Sequence, residues 1–236
     1  MFGFTLFSDS SAVNKAQKPK WEKLFNGKNF NGWKSIATNK LPEYGWKIEN
    51  GSLIVNDSGG GESKNGGDII TEKKYANFEL KWEWKMMTKG GNSGVKYLVN
   101  TISKNNKKHG IGMEYQLLDD AFHPWMLRGK MKPGDYYTLG ACYNLYPSGV
   151  DKKVKPLGKW NTSRVVCKNG IVEHWLNGDK IISFDRFSAD FDQRVAKSKF
   201  KNIDRFGKHQ SGHILIQDHG SNVHFRKIMI KEYPTE

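Results

Sequence analysis

Residues 112–120, GMEYQLLDD, bring together the side chains best suited to chemistry in this 236-residue chain. An extended segment alternates its faces, so Glu114 and Gln116 project to one side while Tyr115 and Leu117 take the other. A bulge at Leu117 and Leu118 would turn Asp119 to the side of Glu114, with Asp120 directly after it. Such a row on the concave face of a sandwich suits acid and base work on a sugar. The same alternation describes the solvated face of an ordinary strand, and both readings stand on these residues alone.

Three further places concentrate polar groups. Residues 90–94, GGNSG, combine glycines that permit close approach with the hydrogen-bonding Asn92 and Ser93, or simply form a hairpin turn. Residues 217–220, QDHG, follow the apolar run HILI and set Asp218 beside His219. That pair can be a base with its orienting partner, two metal ligands, or a surface loop. In the neighbours His174 and Trp175 only one can face the core. Trp175 is expected inside, which leaves His174 on the other face.

Other chemistries are absent. There is no GxSxG, no phosphate loop and no dinucleotide fingerprint, and neither cysteine stands beside a histidine. Cys142 and Cys167 are too few for a disulfide scaffold, and spacing does not say whether they pair. Lys plus Arg number 38 against 24 Asp plus Glu, a net charge of +14. That excess raises nucleic acid, acidic polysaccharide or an anionic surface as partners. The lysines are scattered, however, as with Lys104, Lys107, Lys108, Lys152, Lys153 and Lys155, and are read mostly into loops. No nucleic-acid motif accompanies them, so no nucleic-acid partner is expected.

The elements that must hold these groups are short and β-rich. Aromatics make up 13% of the chain, which suits sheet packing and sugar stacking alike. Residues 1–20 read as a disordered leader or a processed N-terminus, and no membrane span is visible. From residue 21 to 236 one domain is expected. Strands are predicted at 68–71, 78–87, 94–99, 111–118, 136–145, 160–168, 212–217 and 222–231. Asn-Gly turns predict two hairpins, 46–49 with 52–56 and 172–176 with 180–184. One short helix is expected over 189–199. The pattern is that of an all-β sandwich or jelly roll.

Taken in order, LFNGKNFNGW, WKIENGSLIV, GGNSGVKY, EYQLLDD, GKWNTSRVV, HWLNG and HILIQDHGSNVHFRKIMI resemble the 3-keto-disaccharide hydrolase domain family. The resemblance spans residues 21–233 and implies a concanavalin A-like jelly-roll β-sandwich. It also implies cleavage of glycosides already oxidised to a ketone at C3. The ketone acidifies the C2 proton, so a base can form an enediolate, the C1 substituent leaves, and water adds back. This route needs a base near C2, a charge stabiliser at the C3 oxygen and an acid near the leaving oxygen. The resemblance assigns the base to Glu114 or His219, with Asp119 and Asp218 as orienters or metal ligands. Asn92, Gln116, Asp120 and Gln217 are assigned to sugar hydroxyls, and Trp125 or Tyr143 to stacking on the ring.

A divalent metal is one candidate for the stabiliser, and no other cofactor is implied. The spacing Glu114-x-Gln116-x-x-Asp119 is similar to the ExDxxE strand of retaining glucanases. Here Gln116 replaces the central acid and Asp119 the last glutamate, so the glucanase double displacement does not transfer. The resemblance further implies a periplasmic or cell-surface location in bacteria. The rival readings are a non-catalytic carbohydrate-binding module of the same fold, and a binder of acidic polysaccharide. The latter requires a contiguous basic strip.

Overall fold

The computed structural model describes residues 18–59, 61, 66–104 and 107–234. The leader expected over residues 1–20 therefore lies almost wholly outside the described residues. The first five strands are β1 (Trp21–Lys23), β2 (Trp33–Ser35), β3 (Trp46–Glu49), β4 (Ser52–Val55) and β5 (Ile69–Thr71). The long central strands follow as β6 (Phe78–Met86), β7 (Asn92–Lys104) and β8 (Lys107–Leu118). After a helical turn, α1 (Pro124–Leu127), come β9 (Asn161–Lys168), β10 (Ile171–Leu176) and β11 (Asp179–Asp185). Helix α2 (Ala189–Lys197) precedes β12 (His213–Ile216) and β13 (Val223–Glu232).

These strands form two antiparallel sheets. The larger runs β11-β10-β9-β6-β13-β4-β3, with β1 added at β13, and the smaller runs β2-β5-β12-β7-β8. Strand β6 shows why they pack: Phe78, Leu80, Trp82, Trp84 and Met86 alternate inward, while Glu79, Lys81, Glu83 and Lys85 alternate outward. Facing them from the smaller sheet are Val95, Tyr97, Met113, Tyr115 and Leu117, all in one core cluster. Trp82 meets Tyr115 edge to face at 5.1 Å, joining the sheets at their centre. Each such side chain removed from water contributes about 2–3 kcal/mol. The expected hairpins form because Asn50-Gly51 and Asn177-Gly178 take positive φ at both turn positions, as a type I′ turn demands. No helix among the described residues is long and apolar enough to cross a membrane.

Several expectations require correction. Residues 136–145 are turns rather than a strand, because Gly140 and Asn144 take φ of 78° and 62°. The segment still lies along the free edge of β8, where Gly140 N–H donates to Gln116 O and Tyr143 N–H donates to Glu114 O. It thereby covers an edge that would otherwise be open. A second helix exists: α1 is only four residues long and too short for a periodic signal, but Pro124 opens it and His123 caps it. Helix α2 ends at Lys197, which releases Lys199 into the following loop. The short strands β1 and β2 were not expected. Lys104, Lys107 and Lys108, read into loops, belong to β7 and β8.

The pair at 174–175 is inverted. Val172, His174 and Leu176 face inward on β10, and His174 is fully buried. Its Nδ1 donates to Gly140 O at 2.8 Å, so its Nε2 accepts from the Tyr97 hydroxyl at 2.8 Å. Both nitrogens being satisfied makes the burial tolerable. Trp175 lies on the outer face, where the Arg164 guanidinium covers its ring at 3.9 Å. Both cysteines are free and buried.

Candidate active site

The side chains of the opening motif are sorted by the pairing of β7 with β8. Lys96 lies opposite Glu114, Gly94 opposite Gln116 and Asn92 opposite Leu118. Cross-strand partners share a face, so Asn92, Lys96, Glu114 and Gln116 stand together on the outer side of the smaller sheet. Glu114 is 6% exposed, Gln116 3% and Lys96 9%, so this outer face is roofed rather than solvated. The Gln116 amide donates to Asn92 Oδ1 at 3.3 Å. A Cβ on residue 94 would lie 2.2 Å from Glu114 Oε1. The last glycine of GGNSG, Gly94, thus leaves the room in which the carboxylate lies.

Glu114 and Lys96 line a cavity of about 760 Å³ together with Asp68, His109, Lys199 and Phe200. That size falls within the ordinary range for small-molecule sites, about 300–1,000 Å³. Leu215 sits opposite Lys96 and packs with Ile36, Ile70 and Val99 in a small apolar cluster on the same face. Asp68 accepts the Asp218 backbone N–H at 3.0 Å. Asp218 itself is wholly buried, with its carboxylate accepting from Gly67 N–H and Gly220 N–H, each at 3.0 Å. It therefore clasps the loop before β5 to the loop after β12, which carries the half-buried His219. Gln217 continues β12: its N–H donates to Gly94 O, and its carbonyl accepts from the Ser93 hydroxyl.

An aromatic row runs beside these groups. His123 and Trp125 lie 5.8 Å apart between ring centres, Trp125 and Tyr137 6.2 Å, and Tyr137 and Tyr143 5.2 Å. The Lys199 ammonium covers Tyr143 at 4.2 Å. Trp125 is 47% exposed, which leaves ring surface open to a ligand. The His123 imidazole is held below its ordinary pKa, first by partial burial and then by the neighbouring His219. His219 and His123 thus share one end of the row.

Asp119 and Asp120 do not join Glu114. Pairing continues unbroken to Asn92 and Leu118, so there is no bulge at Leu117 and Leu118. The register shift falls instead between Tyr97 and Asn100, where Leu98 takes a φ of 51°. Past the strand end, Asp119 accepts from Gly90 N–H at 2.8 Å and closes the turn. Asp120 accepts from Leu139 N–H and from Lys152 Nζ, each at 2.8 Å. Both acids line a second cavity of about 650 Å³, walled by Trp84, Met86, Phe122 and Met126. The Asp218 and Asp119 carboxylates are thus engaged by backbone donors. Among the described residues no three His, Cys, Asp or Glu side chains gather where they could hold a metal. A metal at the C3 oxygen is not supported by this donor set.

The structure therefore unites Asn92, Gln116 and Glu114 on one face, and sets Trp125 and Tyr143 in one row. It adds Lys96, Asp68, His123, Tyr137 and Lys199, which the sequence reading did not single out. Lys96 was within reach, since Asn92, Gly94 and Lys96 alternate on one strand. Asp68 and Lys199 carry no local signal, because long-range pairing brings them to the site.

The model of the 3-keto-alpha-glucoside-1,2-lyase-like domain matches residues 20–231. A 3-keto-disaccharide hydrolase of Bacteroides thetaiotaomicron is 34% identical over 229 residues, covering 88% of this chain and 77% of that protein. A candidate glycosyl hydrolase of Parabacteroides distasonis is similar in structure, with a TM-score of 0.78 at 37% identity over 91% of this chain and 94% of that one. The catalytic domain of a Thermotoga petrophila endo-1,3-beta-glucanase reaches a TM-score of 0.51 at 9% identity, covering 92% of this chain and all (100%) of that one. That last likeness concerns the fold alone, a concanavalin A-like jelly roll. The first two support a glycosidase-type activity on carbohydrate. The chain belongs to the 3-keto-alpha-glucoside-1,2-lyase-like domain family.

Proposed function

We propose that this protein cleaves glycosides oxidised to a ketone at C3, with Glu114 as the base that removes the C2 proton. The observation that carries the reading is the pairing of Glu114 with Lys96 on a roofed polar face, inside a cavity of sugar-accommodating size. Low exposure keeps water from competing for either charge. As the proton moves from C2 to the Glu114 carboxylate, negative charge collects on the C3 oxygen. The Lys96 ammonium stabilises that charge, so no metal is required in this scheme. The C1–O bond then breaks, and His219 delivers a proton to the leaving oxygen. Water then adds to C1 as His219 takes its proton, and Glu114 returns its proton to C2, which completes a net hydrolysis and restores both side chains.

The remaining side chains bind and orient. Asn92, Gln116 and Gln217 take sugar hydroxyls, while Trp125 and Tyr143 stack on ring faces. Asp218 acts through the backbone, holding the His219 loop against Asp68. Asp119 and Asp120 hold the turn and loop beyond β8. Export to the periplasm or cell surface belongs to the same proposal and rests on the family resemblance.

The test is incubation with 3-keto-glucosides of both anomers beside the unoxidised sugars. Release of the leaving group from the keto forms alone, abolished in Glu114→Gln, is the expected result, with solvent deuterium appearing at C2. Sugar binding without cleavage of any keto substrate would overturn it in favour of a carbohydrate-binding module.

A further inference from the structure

We infer that the outer face of the larger sheet is a docking surface for an anionic polysaccharide, separate from the cavity over the smaller sheet. On β6, β9, β10 and β13 the outward side chains include Lys81, Lys85, Arg164, Lys168, Arg226, Lys227 and Lys231, against the carboxylates Glu79, Glu83 and Glu173. The strand register makes this a contiguous patch rather than a scatter. Lys180 on β11 lies opposite Trp175, Trp175 opposite Arg164, and Arg164 opposite Lys81. In the next row Glu79 lies opposite Lys231, which in turn lies opposite Trp21. Neighbouring strands stand about 4.8 Å apart, so Arg164 and Lys81 are one strand spacing apart and Lys180 lies two spacings from Arg164, across Trp175.

The carboxylates do not cancel this charge. Glu79 is shared by Arg164 at 2.9 Å and Lys231 at 2.6 Å. Glu83 is likewise shared by Arg226 at 2.6 Å and Lys227 at 2.7 Å. Glu79 and Glu83 thus each fix two cations, Glu173 holds Lys180 at 3.0 Å, and a surplus of cations remains. Lys81, Lys85 and Lys168 lie over the rings of Trp21, Trp160 and Tyr233 at 3.9, 5.1 and 5.2 Å. The imidazole of His224, on the same face, is held below its ordinary pKa by partial burial and then by Lys85 and Lys47. These cations are pre-ordered by ring and carboxylate partners, which lowers the entropy cost of holding an anion.

The chemistry of the face selects the partner. Single-stranded nucleic acid needs open aromatic rings on which bases stack. Here the rings of Trp21, Trp160 and Trp175 are covered by Lys81, Arg226 and Arg164, each at 3.9 Å. Among the described residues this face is built of strands, which offer no helix to a duplex groove. An anionic membrane favours apolar residues that insert among the lipids, and Ile171 is the only exposed large apolar residue described on these four strands. A flat lattice of cations instead fits a flexible chain of sulfate or uronate groups. Part of the surplus charge of +14 acquires a location in this way.

The test measures the full chain on heparin and polygalacturonate, with dextran and duplex DNA as comparisons. Binding to the anionic polysaccharides, falling steeply between low and moderate salt, is expected. The variant Lys81→Gln/Lys85→Gln/Lys168→Gln should weaken it on the order of tenfold and flatten the salt slope by about one per charge removed. A charge-matched variant, Lys28→Gln/Lys40→Gln/Lys130→Gln, should bind as the parent does. Thermal midpoints and cleavage of a 3-keto-glucoside, measured in parallel, should be unchanged in both, which separates this surface from the cavity. Equal losses in the two triple variants would show mere net charge, and undiminished binding to dextran would show no anion recognition. Tighter, Lys81-dependent binding to the duplex would make the face a nucleic-acid surface. Any of these results overturns the inference.

Discussion

The two sheets turn alternating strands outward, yet their outer faces end in opposite states. On β6 the outward Lys81, Glu83 and Lys85 remain half-buried, and only Glu79, beneath Arg164 and Lys231, falls below 10% exposure. On β7 and β8 the outward Lys96, Glu114 and Gln116 fall below 10% exposure. Strand geometry is common to both, so the difference lies in what covers them. The loop before β5 and residues 199–200 wall the smaller sheet's cavity, and residues 136–145 line its β8 edge. The larger sheet has no such roof. An ion pair in the open contributes about 0–1 kcal/mol, whereas losing one partner of a buried pair costs about 3–5 kcal/mol. Coverage, rather than composition, separates the proposed reactive groups from solvated ones.

The largest expected effect comes from the covered face. Glu114→Gln should lower kcat on a 3-keto-glucoside on the order of 10²- to 10⁴-fold with the fold intact, the usual worth of a positioned base. Steady-state rates and circular dichroism check both halves. Next, Lys96→Met should destabilise the protein by about 3–5 kcal/mol in denaturant titration, since it removes the buried cation that lies opposite Glu114 in the strand register. Adding Glu114→Gln to that variant should recover part of the loss. If Lys96→Met costs no more than Lys227→Gln, the contrast between the faces collapses.

Between the sheets, burial pushes the His174 pKa down to about 4. Its folded pKa lies below its unfolded value, so its neutral form stabilises the fold above pH about 6.5. That contribution, roughly 3 kcal/mol, is lost as pH falls from there toward the folded value. Denaturant midpoints across that window should show the loss in the parent. Gly94→Ala should reduce kcat on the order of 10²-fold by displacing the carboxylate that fills its Cβ position. The smallest effect belongs to the open face: Lys227→Gln should change stability by less than about 1 kcal/mol, because Glu83 keeps Arg226.

The period of two made much of this legible. FELKWEWKMM declares its buried face through Leu80, Trp82 and Trp84, and Asn-Gly fixes two hairpins. The same period places Glu114 and Gln116 together without any structure. It fails where register or contact from afar decides. His174 and Trp175 were sorted by bulk, but β10 turns 172, 174 and 176 inward whatever their size. Asp119 was recruited through a bulge that lies instead beside Leu98. The aromatic spacing at 136–145 imitates a strand, and only the positive φ of Gly140 and Asn144 reveals turns. Asp68 and Lys199 belong to the cavity through partners far along the chain, which no local window contains.

Strands β12 and β13 have a place that governs when either sheet can exist. Strand β12 sits between β5 and β7, and β13 joins β6 to β4 and β1. The last strands made are thus the keystone of both layers. During synthesis the earlier segments wait with unpaired edges and bare aromatic faces until residues 213–232 emerge and insert. Such long-range closure is slow and exposes the nascent chain to aggregation. Protection of the nascent chain by a chaperone suits this order of assembly better than rapid spontaneous collapse.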